Sequence, residues 1–303
     1  MSQATATETQ TEQQTGFPFR RVGLYLTLLG MAVFYLIPIE TGLMTSIKTL
    51  SYYGTGVPFL PPTPDGLSFA MWVEAFEQLS SGLFNSLLLT IPATILSAAF
   101  GSMAAYGLTS VDWKYQVGIY TLFVAGIFIP YQAVLVPLSQ FWYNIVPLRT
   151  MFEPWAYLLP VIETYHWKIL ALIITHTAYG IPICTLLFRS YYKDLSGEMV
   201  EAARLDGASV YKIYRRIILP LSIPMFAVTF IYQFTQIWND LLFALIIVQS
   251  GDASVVTMSL SGLGVSQSGT NFPLQMAGAF VTALPTLLVY IFFGEQFAKG
   301  VTA

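Results

Sequence analysis

Six long apolar segments set the main constraint on how this chain can fold. A helix that crosses the hydrocarbon core of a bilayer needs about 20 predominantly apolar residues. Hydrophobic residues make up 55% of the chain and charged residues only 10%, whereas charged residues are about a quarter of an average soluble domain. We therefore predict an all-α membrane protein with six spans, at residues 22–43, 83–108, 117–138, 169–188, 225–248 and 276–293.

Lysine and arginine residues are distributed unevenly between the two sides that six spans define. An even number of spans places both termini on one side of the membrane, and ten basic residues share that side. Because cytoplasmic loops carry an excess of Lys and Arg, we predict a multi-pass cell-membrane protein with both termini in the cytoplasm. The ten residues are Arg20, Arg21, Lys114, Arg189, Lys193, Arg204, Lys212, Arg215, Arg216 and Lys299, against Lys48, Arg149 and Lys168 on the outer side.

The chain begins with a polar segment that has no large apolar side chain between Met1 and Phe17. Such a segment buries too little apolar surface to offset the entropy of ordering. We expect residues 1–18 to form a disordered cytoplasmic tail and residues 19–303 to form the membrane domain. We expect no cleavable signal peptide, because the apolar segment after Arg21 is too long for one.

The stretch of residues 201–224, between the fourth and fifth spans, predicts two short helices separated at a glycine. Gly207 is typical of a residue just past a helix end. The small side chains of Ala202 and Ala203 leave room for the backbone of a partner, and Pro220 stops or kinks a helix just before the next span. We therefore predict a short docking helix held beneath the bilayer.

The same stretch carries a family resemblance. Glu201, Ala202 and Ala203, then Gly207, then Ile217, Leu219 and Pro220 match the E-A-A…G…I-x-L-P signature, so the chain resembles the permeases of binding-protein-dependent ABC importers. The similarity covers most of the chain from about Val22 onward and points to the short, maltose-type branch that imports sugars. An unrelated amphipathic loop is the alternative. The further matching positions are Pro38, Lys48, Asn85-Ser86, Ala105-Tyr106-Gly107, Trp238-Asn239 and the stretch MAGAFVTALPTLL.

The resemblance implies a type I importer fold and a set of partners. These are a second homologous permease, two cytosolic ATPases that use ATP and Mg²⁺, and an extracytoplasmic solute-binding protein; this chain would bind no cofactor and catalyse no reaction. The resemblance assigns ATPase coupling to Glu201, Ala202, Ala203, Asp206, Gly207, Leu219 and Pro220. It assigns contact with the binding protein to Ser266, Gln267, Ser268, Gly269, Thr270 and Asn271.

Polar residues recur along the fifth span at three- and four-residue spacing. Polar side chains are costly in lipid, so this stripe faces either a bundle interior or an aqueous path. Amides, aromatic rings and carboxylates recognise sugars, which makes four of the residues candidates for a solute path, namely Tyr232, Gln233, Gln236 and Asn239. Hydrogen bonding between helices explains the stripe equally well. The full stripe is Thr229, Tyr232, Gln233, Gln236, Asn239 and Asp240.

Three other patterns allow a structural and a functional interpretation. Small residues in the second span predict close helix packing. His176 is a packing residue, a proton relay or a ligand contact, of which we favour packing. An apolar stripe before the second span predicts an interfacial helix on the outer side or a packed loop helix. The second-span residues are Ser86, Thr90, Thr94, Ser97, Gly101 and Ala105, and the apolar stripe is Phe69, Trp72, Val73, Phe76 and Leu79.

Several functions are disfavoured by the sequence. It has no G-x4-G-K-[ST] phosphate-binding loop, no H-E-x-x-H motif and only two histidines, ten residues apart. No nucleophile and base are paired at bilayer depth, and a net charge of −3 does not favour a nucleic-acid partner. A permease for glycerol phosphate or another polar solute, and a self-contained secondary carrier or channel, remain as alternatives to a sugar permease.

Overall fold

The computed structural model describes residues 19–111, 113–159, 163–195, 197–267 and 269–302, so the predicted tail over residues 1–18 lies outside the described ranges. The regular structure of the described residues is helical apart from an isolated bridge between Lys48 and Leu67 and one antiparallel hairpin of two-residue strands, in which Val265 pairs with Thr270 and Ser266 with Gly269. The prediction of an all-α membrane protein is therefore confirmed.

The helices differ widely in length, from 3 to 38 residues. In chain order they are α1 (Phe19–Ser46), α2 (Leu50–Tyr53), α3 (Ala70–Gly107), α4 (Gln116–Ile127), α5 (Tyr131–Gln140, continued by a π-helical turn over Phe141–Ile145), α6 (Leu148–Leu158), α7 (His166–Asp194), α8 (Gly197–Leu205), α9 (Val210–Ile213, continued by a π-helical turn over Tyr214–Ile218), α10 (Leu219–Leu221), α11 (Ile223–Trp238), α12 (Leu242–Ile247), α13 (Val256–Gly262) and α14 (Phe272–Thr302), with β1 (Val265–Ser266) and β2 (Gly269–Thr270) before α14 and a 3-10 turn at Pro64–Gly66.

Among the described residues, four helices are long and apolar enough to cross a membrane: α1, α3, α7 and α14. Two bent helix pairs add two more spans if each pair is counted as one. The first pair is α4 with Tyr131–Ile145, bent by 97°, and the second is Val210–Leu221 with α11, bent by 74°. The described chain thus has four to six spans, and the count of six stays a prediction.

Residues 117–138, which we predict as the third span, do not form one straight helix. The chain bends between α4 and α5, and Pro130 there is extended, with φ −68° and ψ 139°. Proline has no amide hydrogen for the helix ladder and disfavours a helical residue before it. The proline therefore accounts for a break in the span.

The fifth span, drawn over residues 225–248, is also interrupted. Helix α11 ends at Trp238, and α12 begins at Leu242. Oδ2 of Asp240 accepts a hydrogen bond of 3.1 Å from the Phe243 backbone amide, which satisfies one of the free amides at the start of α12. At this break the Asp240 side chain thus accepts the hydrogen bond that a backbone carbonyl would accept in a continuous helix.

The apolar stripe before the second span forms neither a separate interfacial helix nor a separate loop helix. Its residues belong to the first turns of α3, which runs without interruption from Ala70 through Gly82. A Cβ atom on Gly82 would lie 2.8 Å from Oγ of Ser259 in α13. The glycine therefore allows α13 to approach the continuous helix, instead of ending it.

The centre of the fold is the pair of helices α3 and α7. All six small residues predicted to pack are buried on α3, and Gly101 lies so close to Cys184 of α7 that a Cβ atom there would overlap its side chain. This confirms the packing interpretation. In contrast, the side chains of residues 21–40 in α1 are exposed in the single chain, so this apolar helix needs lipid or another subunit to cover it.

Candidate functional site

A small polar cavity lies beside the middle of α7, where that helix meets the start of α5 and the end of α11. Its volume is about 40 Å³, which holds a few water molecules and no sugar. Helix α7 has 29 residues, or about 43 Å at 1.5 Å per residue, so the cavity lies near the centre of a span. The lining residues are Tyr131, His176, Tyr179, Gly180, Ile183, Tyr232, Gln233, Gln236, Ile237 and Asp240.

A larger cleft adjoins this cavity. The two share Tyr131, Tyr179, Ile183 and Tyr232, and the cleft extends along the break between α4 and α5. Its volume is about 340 Å³, within the range of about 300–1,000 Å³ that small-molecule pockets occupy. The breaks in the third and fifth spans therefore border two neighbouring spaces, of which the cleft has room for a small solute.

The polar stripe of α11 divides into packing and lining residues. Thr229 is fully buried and donates to the carbonyl of Met225 at 3.0 Å. Tyr232 and Gln236 are exposed at the cavity, whereas Gln233 is only 3% exposed and covers Gly180. Asn239 lies outside the lining and donates to the Thr235 carbonyl at 2.8 Å. The structure thus brings together three of the four predicted path residues, namely Tyr232, Gln233 and Gln236.

A buried histidine and aspartate face each other across the cavity. Nε2 of His176 lies 3.5 Å from Oδ2 of Asp240, and their side chains are 6% and 10% exposed. Sequence analysis named both residues but did not pair them, because they are far apart in the chain and on different helices. The available signal was the presence of two polar side chains within predicted spans.

Side chains on α11 differ in exposure, and this difference gives a test of whether the polar stripe lines an aqueous path. In a Cys184→Ser background, cysteines at Tyr232 and Gln236 are expected to react with a small water-soluble thiol reagent at least about tenfold faster than cysteines at Ile231 and Phe234, because the reagent reacts with hydrated thiolate. The two control positions are 2% and 3% exposed. Labelling is followed by mass shift in membranes, and equal rates at all four positions would contradict the path.

Helix α8 (Gly197–Leu205) is the predicted docking helix, and it ends as the sequence predicts. Gly207 has φ +74°; its amide donates to the Arg204 carbonyl at 2.9 Å, and the Ala208 amide donates to the Ala203 carbonyl at 2.9 Å. These two bonds form a Schellman motif, which satisfies free carbonyls at a helix end. Ser209 then caps α9 by accepting from the Lys212 amide at 3.3 Å. Three hydrogen bonds therefore fix the turn between the two short helices.

Aromatic hydroxyl groups fasten this region to α3 and α7. Oγ of Ser102 lies 2.6 Å from the hydroxyl of Tyr192 and 2.8 Å from that of Tyr214, and the Tyr106 hydroxyl donates to the Val210 carbonyl at 3.2 Å. Arg204 donates to the Ser110 carbonyl. The tyrosine bonds thus join α9 and its π-helical turn to α3 and α7, and Arg204 joins α8 to the segment after α3.

The end of α8 and the start of α9 expose large apolar side chains. Leu205 is 89% exposed and Tyr211 is 68% exposed, beside the exposed Glu201, Ala202 and Asp206. Large apolar side chains this exposed indicate a protein contact when they cluster. Sequence analysis missed Leu205 and Tyr211, although an isolated leucine within a charged loop was the available signal.

The remaining predicted site residues lie in two other places. Ala203 is half-buried, Gly207 is exposed, and Leu219 and Pro220 belong to the segment that bends toward α11. At the opposite end, Ser266, Gln267, Gly269 and Thr270 lie on the exposed hairpin, and Asn271 caps α14 by accepting from the Leu274 amide at 3.1 Å. Ser268 lies outside the described residues.

Comparison with known proteins gives a consistent family. The family described as "binding-protein-dependent transport system inner membrane component" matches residues 97–296. The xylose/arabinose import permease protein XacI of Haloferax volcanii is 54% identical over 283 residues, which are 93% of this chain and 92% of XacI. The arabinooligosaccharides transport system permease protein AraQ of Bacillus subtilis is 28% identical over 94% of this chain and 95% of its own length.

A solved structure shares the fold. A chain of a bacterial ABC transporter involved in the import of the acidic polysaccharide alginate superposes with a TM-score of 0.68 at 18% identity. The match covers 93% of this chain and 100% of that chain.

Proposed function

The chain belongs to the family of binding-protein-dependent transport system inner membrane components, and from that membership we propose that it carries a sugar through the membrane. It is a multi-pass permease subunit of an ABC importer. The observation that supports a sugar as solute is the 54% identity to a xylose/arabinose import permease over nearly the whole length of both chains. We propose a pentose as the leading candidate.

The cavity supports a neutral solute. It is lined by tyrosines, amides, a histidine and an aspartate, and within the described residues its lining includes no Lys or Arg. A phosphate path needs positive charge, and Asp240 would repel an anion at close range. The geometry therefore favours a sugar over glycerol phosphate.

The proposed partners complete the importer. A binding protein would deliver the sugar at the face that carries the hairpin over residues 265–270. A second permease would form the other half of the path and, together with lipid, cover the exposed helix α1. Two cytosolic ATPases would use ATP and Mg²⁺ and hold α8, and ATP-driven movement of α8 would give alternating access. This chain would bind no cofactor and perform no covalent chemistry.

Loss of the gene tests the solute. Cells that lack this chain are expected to lose uptake of labelled xylose or arabinose down to background, and to recover it with the wild-type gene, because no other subunit supplies this half of the path. Glycerol 3-phosphate uptake serves as the control and is expected to stay unchanged. If pentose uptake is unaltered and glycerol 3-phosphate uptake is lost, the solute is the phosphate ester and not a sugar.

The bias of basic residues supports a cytoplasmic position for both termini. Reporter fusions at Ser209 and near the C-terminal end of α14 are expected to give cytoplasmic signals, and a fusion at Ser261 an external signal. Fluorescent and alkaline phosphatase reporters measure the two sides independently. An external signal at Ser209 would reverse the proposed topology.

A further inference from the structure

We propose that His176 and Asp240 form a subsite that binds a hydroxyl group of the transported sugar. This inference rests on the proposed function, because it concerns the cavity that adjoins the cleft through which the sugar would pass. It adds the two residues that recognise the solute chemically, on the subunit described here.

The first support is an unused hydrogen-bonding atom. Nε2 of His176 is buried and makes no hydrogen bond to the described residues. Its distance of 3.5 Å from Oδ2 of Asp240 exceeds the 2.7–3.2 Å of ordinary N–H···O bonds. A buried polar atom of this kind is costly unless it gains a partner. The side chain lines the cavity, whereas Nε2 itself has almost no accessible surface, so a partner reaches it only when His176 and Asp240 move apart.

The second support is the complementary chemistry of the two groups. Oδ2 of Asp240 is an acceptor, whereas Nε2 of His176 donates when it carries a hydrogen. One hydroxyl group between them can donate to the carboxylate and accept from the imidazole at the same time. A phosphate or carboxylate group cannot donate to Asp240 when ionised and would be repelled by it. The pair therefore selects a hydroxyl group.

The third support is the aromatic surface around the pair. Phe243 is fully buried behind this surface, with its ring centroid 5.3 Å from that of His176 and 5.0 Å from that of Tyr179. The rings of Tyr131 and Tyr179 are 5.0 Å apart and line both the cavity and the cleft. Aromatic rings present an apolar face on which the C–H groups of a sugar can pack. The site thus offers both a polar pair and an apolar wall.

Asp240 also has a structural task, which the test must separate from recognition. Its Oδ2 accepts from the Phe243 amide, and its backbone carbonyl accepts from Oγ1 of Thr257 at 2.8 Å. Asp240→Asn keeps an oxygen for the Phe243 amide, and His176→Phe keeps a ring against Phe243. Thr257→Val is the matched control, since it loosens the same break from outside the cavity lining.

The experiment compares initial uptake of a transported pentose with that of its monodeoxy analogues. For at least one analogue, the intact transporter is expected to prefer the parent sugar at least about tenfold, because a site built for a hydroxyl group rejects a solute that lacks it. His176→Phe and Asp240→Asn are expected to reduce this ratio to about one, while Thr257→Val changes both rates equally. All variants use the same binding protein, so its own selectivity cancels in the comparison.

Two results would overturn the subsite. One is an unchanged ratio for both variants while they still transport the parent pentose. If the variants fail to assemble, the subsite is tested on the wild-type complex. Modification of His176 by diethyl pyrocarbonate is mapped by mass spectrometry. Its rate is expected to fall when the pentose is present and to stay unchanged with glycerol 3-phosphate. No protection, or no modification in any state, would be the second contrary result. Absence of pentose transport by the wild type would instead refute the proposed function.

Discussion

Replacing Gly207 with proline is expected to lower sugar uptake at least about tenfold while the membrane domain stays folded. The residue has φ +74° and donates its amide hydrogen to Arg204, whereas proline fixes φ near −65° and has no amide hydrogen, at a cost of about 3 kcal/mol or more in a helical setting. The turn that aims α8 is then lost. Uptake and co-purification of the ATPases measure the effect.

A series of substitutions at Gly207 distinguishes the effect of backbone conformation from the effect of side-chain size. A Cβ atom on Gly207 meets nothing within 4 Å, so the effect of a side chain there comes from its conformational preference. Asparagine tolerates positive φ better than alanine, and alanine better than valine, so uptake is expected to fall in that order. Gly197→Ala, at the start of the same helix, is the control and is expected to transport normally. Normal transport by Gly207→Pro would contradict a coupling role for the turn.

Replacing Asn85 with aspartate is expected to destabilise the protein by about 3–5 kcal/mol, the range found when a buried charge is left without its partner. Nδ2 of Asn85 donates to the carbonyls of Asp252 and Ser254 at 2.7 and 3.0 Å, and the side chain is 2% exposed. Aspartate would place an ionised acceptor against two acceptors. Protonation restores a donor, so the deficit is expected to shrink as the pH falls. Thermal unfolding in detergent measures both effects.

A matched substitution on the same helix controls for the change of amide to acid. Gln78 is exposed on α3 and donates to Oε1 of Glu74 at 3.0 Å. Gln78→Glu is expected to change stability by no more than about 0.5 kcal/mol, as exposed positions generally do. Equal losses for the two variants, or a loss at Asn85 that does not depend on pH, would contradict the account of the buried amide.

The docking loop could be predicted from sequence because its determinants are local. A glycine at positive φ, a serine cap and a following proline act within a few residues of the chain. Gly207 therefore has the role that we predict for it, whereas the cap at Ser209 emerges only from the structure. The exposed apolar residues Leu205 and Tyr211 were missed, because exposure depends on how the loop is held against α3 and α7.

The interruptions of the spans and the polar pair could not be placed from periodicity. Hydropathy treats residues 225–248 as one segment, whereas Asp240 ends the helix by capping the next one. Likewise, Gly82 allows close approach of α13 to α3, a contact that no local pattern reveals. His176 and Asp240 meet only because α7 packs against the break that follows α11. In each case a tertiary contact decides what a local pattern leaves open.

The central claim is that movement of the docking helix opens and closes the cavity beside α7. It is tested by the rate at which a cysteine at Gln236, in a Cys184→Ser background, reacts with a water-soluble thiol reagent in the assembled transporter. We predict that the rate differs between the ATP-free and the vanadate-trapped states, and that Gly207→Pro removes this difference. Identical rates in both states of a transporter that imports sugar would contradict the claim.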